Sequence, residues 1–211
     1  GGLDAVPLPH QQEPLAFGTR PDDDRWTAFV AGTRMAFISV QADEAEYYTK
    51  IESKQEQTKL AQGLPNVGDS SKSNKREAET VARLIHTLCQ LYSRSGIPFS
   101  PCKQIGIIVP FRAQIAMIRK ALAERHIPDT ADITIDTVER YQGSQRDIII
   151  FSTTVSRPYQ LSILSEPVMT DGREIDRKLN VALTRARKQF FMTGNETVSY
   201  THLTLPTTER V

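Results

Sequence analysis

Two uninterrupted apolar runs, residues 105–109 (IGIIV) and 148–151 (IIIF), constrain this chain more than any other feature. Each has strand length and no polar alternation. That is the habit of a strand covered on both faces, as in a parallel sheet between layers of helix. Segments of helical period lie around them. Val81, Leu84, Ile85, Leu88 and Tyr92 recur at that spacing, after an Asn74–Glu77 pair that has the form of a capping box. Gly96 and Pro98 stop this helix. Residues 113–125, begun after Pro110, read as a second helix with Ile115, Ile118 and Leu122 inward, and Leu179, Ala182, Leu183 and Ala186 mark a third. Residues 35–40 (MAFISV), 133–138 and 189–193 (QFFMT) read as further strands. Strands alternating with helices predict an α/β domain with a largely parallel sheet. In such sheets ligands sit at the carboxyl ends of the strands, so the loops after Val109, Val138 and Phe151 are the expected sites.

The remaining stretches give the organisation. Residues 1–40 form the start of the domain, and residues 1–30, with several prolines and the acidic cluster 22–24, read as irregular. Residues 41–73 are rich in Gln, Ser, Lys and Glu and read as a polar insertion or loop. A loop of about twenty residues is expected after Phe151. The chain has 211 residues, 24% charged and 39% hydrophobic, which fits one globular domain and excludes fibrous or disordered classes. A net charge of +1 is uninformative, because a nucleic-acid binder needs only a local basic face. No run approaches the roughly 18 apolar residues of a membrane span. The first residues lack a secretory signal and an initiator Met, so the chain is read as beginning inside a longer gene product. Cys89, Cys102 and the four histidines show no metal-ligand spacing; no metal site is expected, and a reduced cytoplasmic protein is.

Three segments carry candidate chemistry, and each has a plain structural account when taken singly. Between 173 and 188 lie six basic and two acidic residues, which suits a solvated helix face. That is the commoner fate of such a run, and the other reading is an arginine aimed at a phosphate, whose oxygens a planar guanidinium can bind in pairs. Gln142 and Gly143 lie between two strands, where glycine permits a positive φ turn. Phe111, Arg112 and Gln114 follow a strand end, where an aromatic can be core and an arginine plain surface.

Together, in order and spacing, they resemble three signature motifs of superfamily 1 helicases. The branch is that of the nonsense-mediated-decay RNA helicase and its bacterial DNA-helicase relatives. Residues 109–114 (VPFRAQ) match the turn after its middle strand. Residues 137–147 (TVERYQGSQRD) resemble T-V-x-x-[FY]-Q-G-x-E-x-D, and residues 179–187 (LNVALTRAR) match the last motif without change. The resemblance covers residues 74–195 firmly and 1–40 loosely. It implies a RecA-like, P-loop-NTPase-type parallel sheet flanked by helices, the second and incomplete motor lobe, over residues 74–197. ATP with Mg2+ is then held mainly by an upstream RecA-like lobe of the same gene product. Arg185 is implied as the arginine finger, a catalytic residue that stabilises charge in phosphoryl transfer. Gln145, Gly143 and Arg187 are implied to lie at the nucleotide. Phe111, Arg112, Gln114, Thr137 and Gln142 are implied contacts to single-stranded nucleic acid, DNA rather than RNA, with 5′-to-3′ movement. Gln145 departs from the family, which has Glu there and associates it with the ribose; an amide can still hydrogen-bond but carries no charge. No G-x-x-x-x-G-K-[ST] occurs in this sequence, and the family's Q-Y-R-M-H segment is expected upstream of Gly1. An RNA helicase of the same branch, or a scaffold derived from such a lobe, are the alternative readings. The closing run VSYTHLTLPTTERV resembles translated adapter sequence, and residues 198–211 are assigned no function.

Overall fold

The computed structural model describes residue 15 and residues 17–40, 73–141, 145–154, 167–170 and 173–195. In chain order the elements are α1 (Arg25–Gly32), β1 (Met35–Ser39), α2 (Lys75–Arg94), α3 (Pro101–Gln104), β2 (Ile105–Val109), α4 (Arg112–Glu124), β3 (Thr134–Thr137), β4 (Arg146–Ser152), β5 (Pro167–Thr170), β6 (Arg173–Asp176), α5 (Arg177–Leu183) and β7 (Ala186–Gly194).

The two apolar runs lie side by side, Ile105 opposite Ile148 and Ile107 opposite Ile150, in a five-stranded sheet of order β1-β7-β4-β2-β3. Every pairing in it is parallel. Alternate side chains feed opposite faces. Ile105, Ile107, Val109, Ile148, Ile150 and Phe191 join one core with α1, α2 and α4, whose Val30, Leu84, Leu88 and Ile118 are fully buried. Ile108, Ile149, Phe151, Phe190 and Met192 join the other core with Leu179 and Ala182 of α5. Burying side chains of this size contributes about 1.5–3 kcal/mol each, so the two-sided covering is what holds the sheet. The expected α/β, RecA-like parallel sheet flanked by helices is therefore the observed fold.

Four local expectations change. Residues 25–32 are helical rather than irregular, because Asp24 of the acidic cluster is an N-cap: its Oδ1 accepts from the backbone of Trp26 (2.8 Å) and Thr27 (3.1 Å). Trp26 then ties α1 to α2, donating to Thr87 Oγ1 (2.8 Å) beneath the Arg83 guanidinium. The long loop after β4 contains an antiparallel hairpin, β5 with β6. The last helix ends at Leu183, a turn early, so Ala186 and Arg187 already belong to β7. Finally, Asn74 caps α2 as expected, its side chain accepting from Glu77 N (3.1 Å), but the reciprocal bond is absent. Asn74 N donates instead to Gln114 Oε1 (2.7 Å), and the Glu77 carboxylate turns into the core. Residues 41–72 and 198–211, and Gln142 and Gly143, lie outside the described residues.

Candidate functional site

The residues singled out from sequence fall at two opposite edges of the sheet. Because the strands are parallel, everything that precedes a strand gathers at one edge and everything that follows gathers at the other.

At the carboxyl edge, Val109 pairs with Thr137, so the turn after β2 and the end of β3 are neighbours. Phe111 is half-buried at the N-cap position of α4, Arg112 is exposed, and Thr137 is half-buried. Thr137 O accepts from the backbone of Arg140 (3.1 Å) and Tyr141 (3.0 Å), closing a turn directly after β3. An exposed guanidinium beside an aromatic can hold a phosphate while a base stacks. Gln114 does not share that surface. It is fully buried, and its amide is engaged with the Asn74 backbone in both directions (2.7 and 3.0 Å) and with Ser152 Oγ (3.2 Å). Its expected contact with nucleic acid is thus replaced by an internal role.

Gln145, Arg185 and Arg187 lie at the amino edge, contrary to the expectation that ligand-binding groups sit after the strands. Arg185 occupies the two-residue turn between α5 and β7 rather than the helix itself. The helix tightens as it ends: Thr184 N donates to Asn180 O (3.0 Å), then Arg185 N to Ala182 O (3.1 Å). Arg185 O accepts from Arg146 N (3.0 Å), which anchors the turn to the start of β4. The half-buried Arg185 side chain is oriented by its Nε donating to Val181 O (3.3 Å). Arg187 is exposed and donates to Gln145 Oε1 (3.3 Å), and Lys188 pairs with Asp147 (2.9 Å). Arg146, Arg185, Arg187 and Lys188 thus lie close together where β4 and β7 begin, with Lys188 alone paired to Asp147. This donor set fits a polyphosphate in charge and in fork geometry.

The turn after β3 packs onto the face of the sheet that α5 covers. Tyr141 is its anchor, buried in the core shared with α5. Its hydroxyl lies where a Cβ on Gly106 would sit, 1.8 Å away, so β2 needs glycine at that point for close approach rather than for a turn.

Sequence reasoning missed the polar centre beneath the carboxyl edge. Glu77 Oε2 accepts from Ser152 Oγ (2.8 Å), Thr154 N (3.0 Å) and Thr193 Oγ1 (3.2 Å), and Oε1 accepts from Asn74 Nδ2 (3.2 Å). Full burial pushes this carboxyl up to about 7, against the pull of those hydrogen bonds. The signal was faint: a hydroxyl run, 152–154 (STT), directly after an apolar strand.

A parallel sheet of this order, covered on both faces and bearing an arginine turn before its last strand in sequence, is a RecA-like lobe. Residues 20–197 match the AAA domain family, and the chain belongs to that family. Its place is in the branch of the nonsense-mediated-decay RNA helicase. It is 33% identical over 138 residues to the "Putative helicase MOV-10" of Gallus gallus, covering 59% of this chain and 13% of that one. It is 34% identical over 96 residues to the "DNA polymerase alpha-associated DNA helicase A" of Saccharomyces cerevisiae, covering 45% and 12%. With the "DNA replication ATP-dependent helicase/nuclease JHS1" of Arabidopsis thaliana it shares 32% over 124 residues, covering 59% and 8%. The chain therefore spans a small fraction of the curated relatives it matches. Among the described residues no helix is long and apolar enough to cross a membrane.

Proposed function

We propose that this chain is the second motor lobe of an ATP-dependent helicase that moves along single-stranded nucleic acid. The observation that carries the reading is Arg185. The segment LNVALTRAR places it in a tight turn bonded to both α5 and β4, at a basic edge. When bound between this lobe and an upstream one, ATP with Mg2+ supplies the phosphoryl group. Arg185 is the finger that offsets charge developing on it, and Arg187 and Gln145, joined by a hydrogen bond, line the same edge. Gly143 completes the proposed nucleotide contacts, as the motif it belongs to implies.

The carboxyl edge is the single-strand track, with Phe111 stacking a base and Arg112 holding phosphate, helped by Thr137 and Gln142. Three relatives carry "DNA" in their names, which favours DNA over RNA. Movement 5′-to-3′ and a reduced cytoplasmic setting, with Cys89 and Cys102 as free thiols, complete the proposal.

Fluorescence anisotropy of residues 1–211 with a labelled oligo-dT strand tests the track. Binding is expected in the weak, non-specific range, around 10⁻⁴–10⁻⁶ M, falling as salt rises and weakened by Arg112→Ala. Binding indifferent to both salt and Arg112→Ala would contradict it.

A further inference from the structure

Glu77 is the meeting point of the exits of β4 and β7 and of the α2 cap at the carboxyl edge, yet neither proposed contact surface uses it. It stands in the first turn of α2, fully buried, and its donors arrive from the end of β4 (Ser152, Thr154), the end of β7 (Thr193) and the cap of α2 (Asn74). The exit of β2 joins at one remove. Gln114 Nε2 donates to Ser152 Oγ (3.2 Å), whose own proton goes to Glu77 (2.8 Å), and Gln114 is locked to the Asn74 backbone on its other side. Phe111, at the N-cap of α4, makes no side-chain capping bond, and three residues on the Gln114 amide ties the start of α4 to Asn74 and Ser152.

Two physical facts argue that this centre does more than fill space. Burying a carboxylate opposes folding unless its hydrogen bonds compensate, and an apolar side chain would avoid that opposition. Thr154, moreover, is a β-branched residue with φ of 54°, a strained left-handed conformation that persists only where surroundings impose it. Its N–H donates to the Glu77 carboxylate (3.0 Å), which is what imposes it. The protein maintains a buried acid and a strained corner together, directly behind the turn that presents Phe111 and Arg112.

We infer that Glu77, acting through Ser152 and Gln114, is a positioning residue for single-strand binding: it fixes the turn that presents Phe111 and Arg112 to the phosphodiester backbone. The inference rests on the single-strand reading of the carboxyl edge. It separates from that reading because Glu77 touches no ligand and works only through placement. Placement leaves a signature that plain loss of stability does not. If Arg112 binds only where the relay holds it, removing the relay and removing Arg112 overlap in effect rather than add.

The test uses residues 1–211, a labelled oligo-dT strand, and the variants Glu77→Leu, Glu77→Gln, Gln114→Leu and Arg112→Ala, with thermal melts run on each. Glu77→Gln keeps an oxygen that can accept from Ser152, Thr154 and Thr193, whereas Glu77→Leu removes it. Glu77→Leu and Gln114→Leu are each expected to weaken binding about ten-fold, with Glu77→Gln returning within about three-fold of the parent, and Arg112→Ala adding little in either Leu background. Amide hydrogen exchange at residues 112–114 is expected to quicken in both Leu variants, with no strand present. Should Glu77→Leu fail to fold, Gln114→Leu decides, since it breaks the relay and spares the carboxylate. Folded Leu variants with parental affinity and parental exchange would overturn the inference, as would strictly additive losses with Arg112→Ala. A parent that binds strand but ignores Arg112→Ala, or that binds no strand, overturns the single-strand reading and this inference with it.

Discussion

The two edges of the sheet are built on different principles. At the amino edge, Gln145, Arg187 and Lys188 stand at or near the surface, and Arg185 is held by single bonds to backbone carbonyls in a two-residue turn. At the carboxyl edge the exposed Arg112 and half-buried Phe111 rest on a sealed polar centre of Glu77, Ser152, Thr154, Thr193 and Gln114. A guanidinium that approaches a polyphosphate from across a cleft needs one rigid attachment and freedom at its tip. A surface over which a flexible strand passes needs several loops kept in register with one another, and a shared buried acceptor does that. Parallel topology makes the division possible, since the strands that join the two edges are the same strands that hold the core.

The largest effect expected from the carboxyl edge is a pH dependence of stability. Glu77 titrates near 7 when folded against an ordinary 4.5. The folded state therefore keeps a proton that the unfolded state has released, and stability is full below about pH 4.5 and declines as pH rises through about 7. The shift corresponds to roughly 3 kcal/mol. Asp23, which Arg94 holds down at about 2, acts in the opposite sense and in another window: its contribution is present above 3.8 and lost as pH falls toward 2. Urea denaturation from pH 5 to 8 should show a decline in the parent and a flatter profile in Glu77→Gln. A parental profile in the variant would remove Glu77 as the source.

A second change sharpens the comparison by attacking the link between the edges. In Gly106→Ala the new Cβ meets the Tyr141 side chain, and the turn from Thr137 to Tyr141 must shift. Overpacking of this kind costs about 1–3 kcal/mol, and both strand binding and ATP turnover in the assembled motor should fall while the fold survives. If only one of the two declined, the segment would not be a mechanical link. The smallest effect is expected at Arg187, which the structure places on β7 with its Nε already given to Gln145. Arg187→Ala should lower turnover less than about ten-fold, far less than loss of the finger.

Much of this architecture is legible in sequence because it rests on periodicity. The IGIIV and IIIF runs and the helix through Val81, Leu84 and Leu88 report burial directly, and the structure buries each of these residues completely. What escapes is whatever depends on contacts distant along the chain. Glu77 reads as a cap because Asn74 is three residues away, while Thr193, which completes its environment, is 116 residues away. Gln114 reads as a surface contact because the helicase motif it belongs to implies one, and only the fold brings Asn74 and Ser152 onto it. The early end of α5 escapes for another reason. Ala186 continues the helical spacing of Leu179, Ala182 and Leu183, but pairing of Ala186 with Arg146 draws it into the sheet. Arg185 consequently sits in a turn, a position that periodicity alone would assign to helix.

The division of labour between the edges is tested most directly by one pair of variants measured two ways. In a protein that carries this lobe beside a phosphate-binding one, steady-state ATPase and oligo-dT affinity would be determined for Arg185→Ala and Arg112→Ala. Arg185→Ala should lower turnover by roughly three orders of magnitude and leave strand affinity at the parental value, with Arg185→Lys restoring little because an ammonium lacks the two-pronged contact. Arg112→Ala should weaken strand binding and leave turnover at saturating strand near the parent's. Parental ATPase in Arg185→Ala, or strand affinity that falls equally in both variants, would contradict the account.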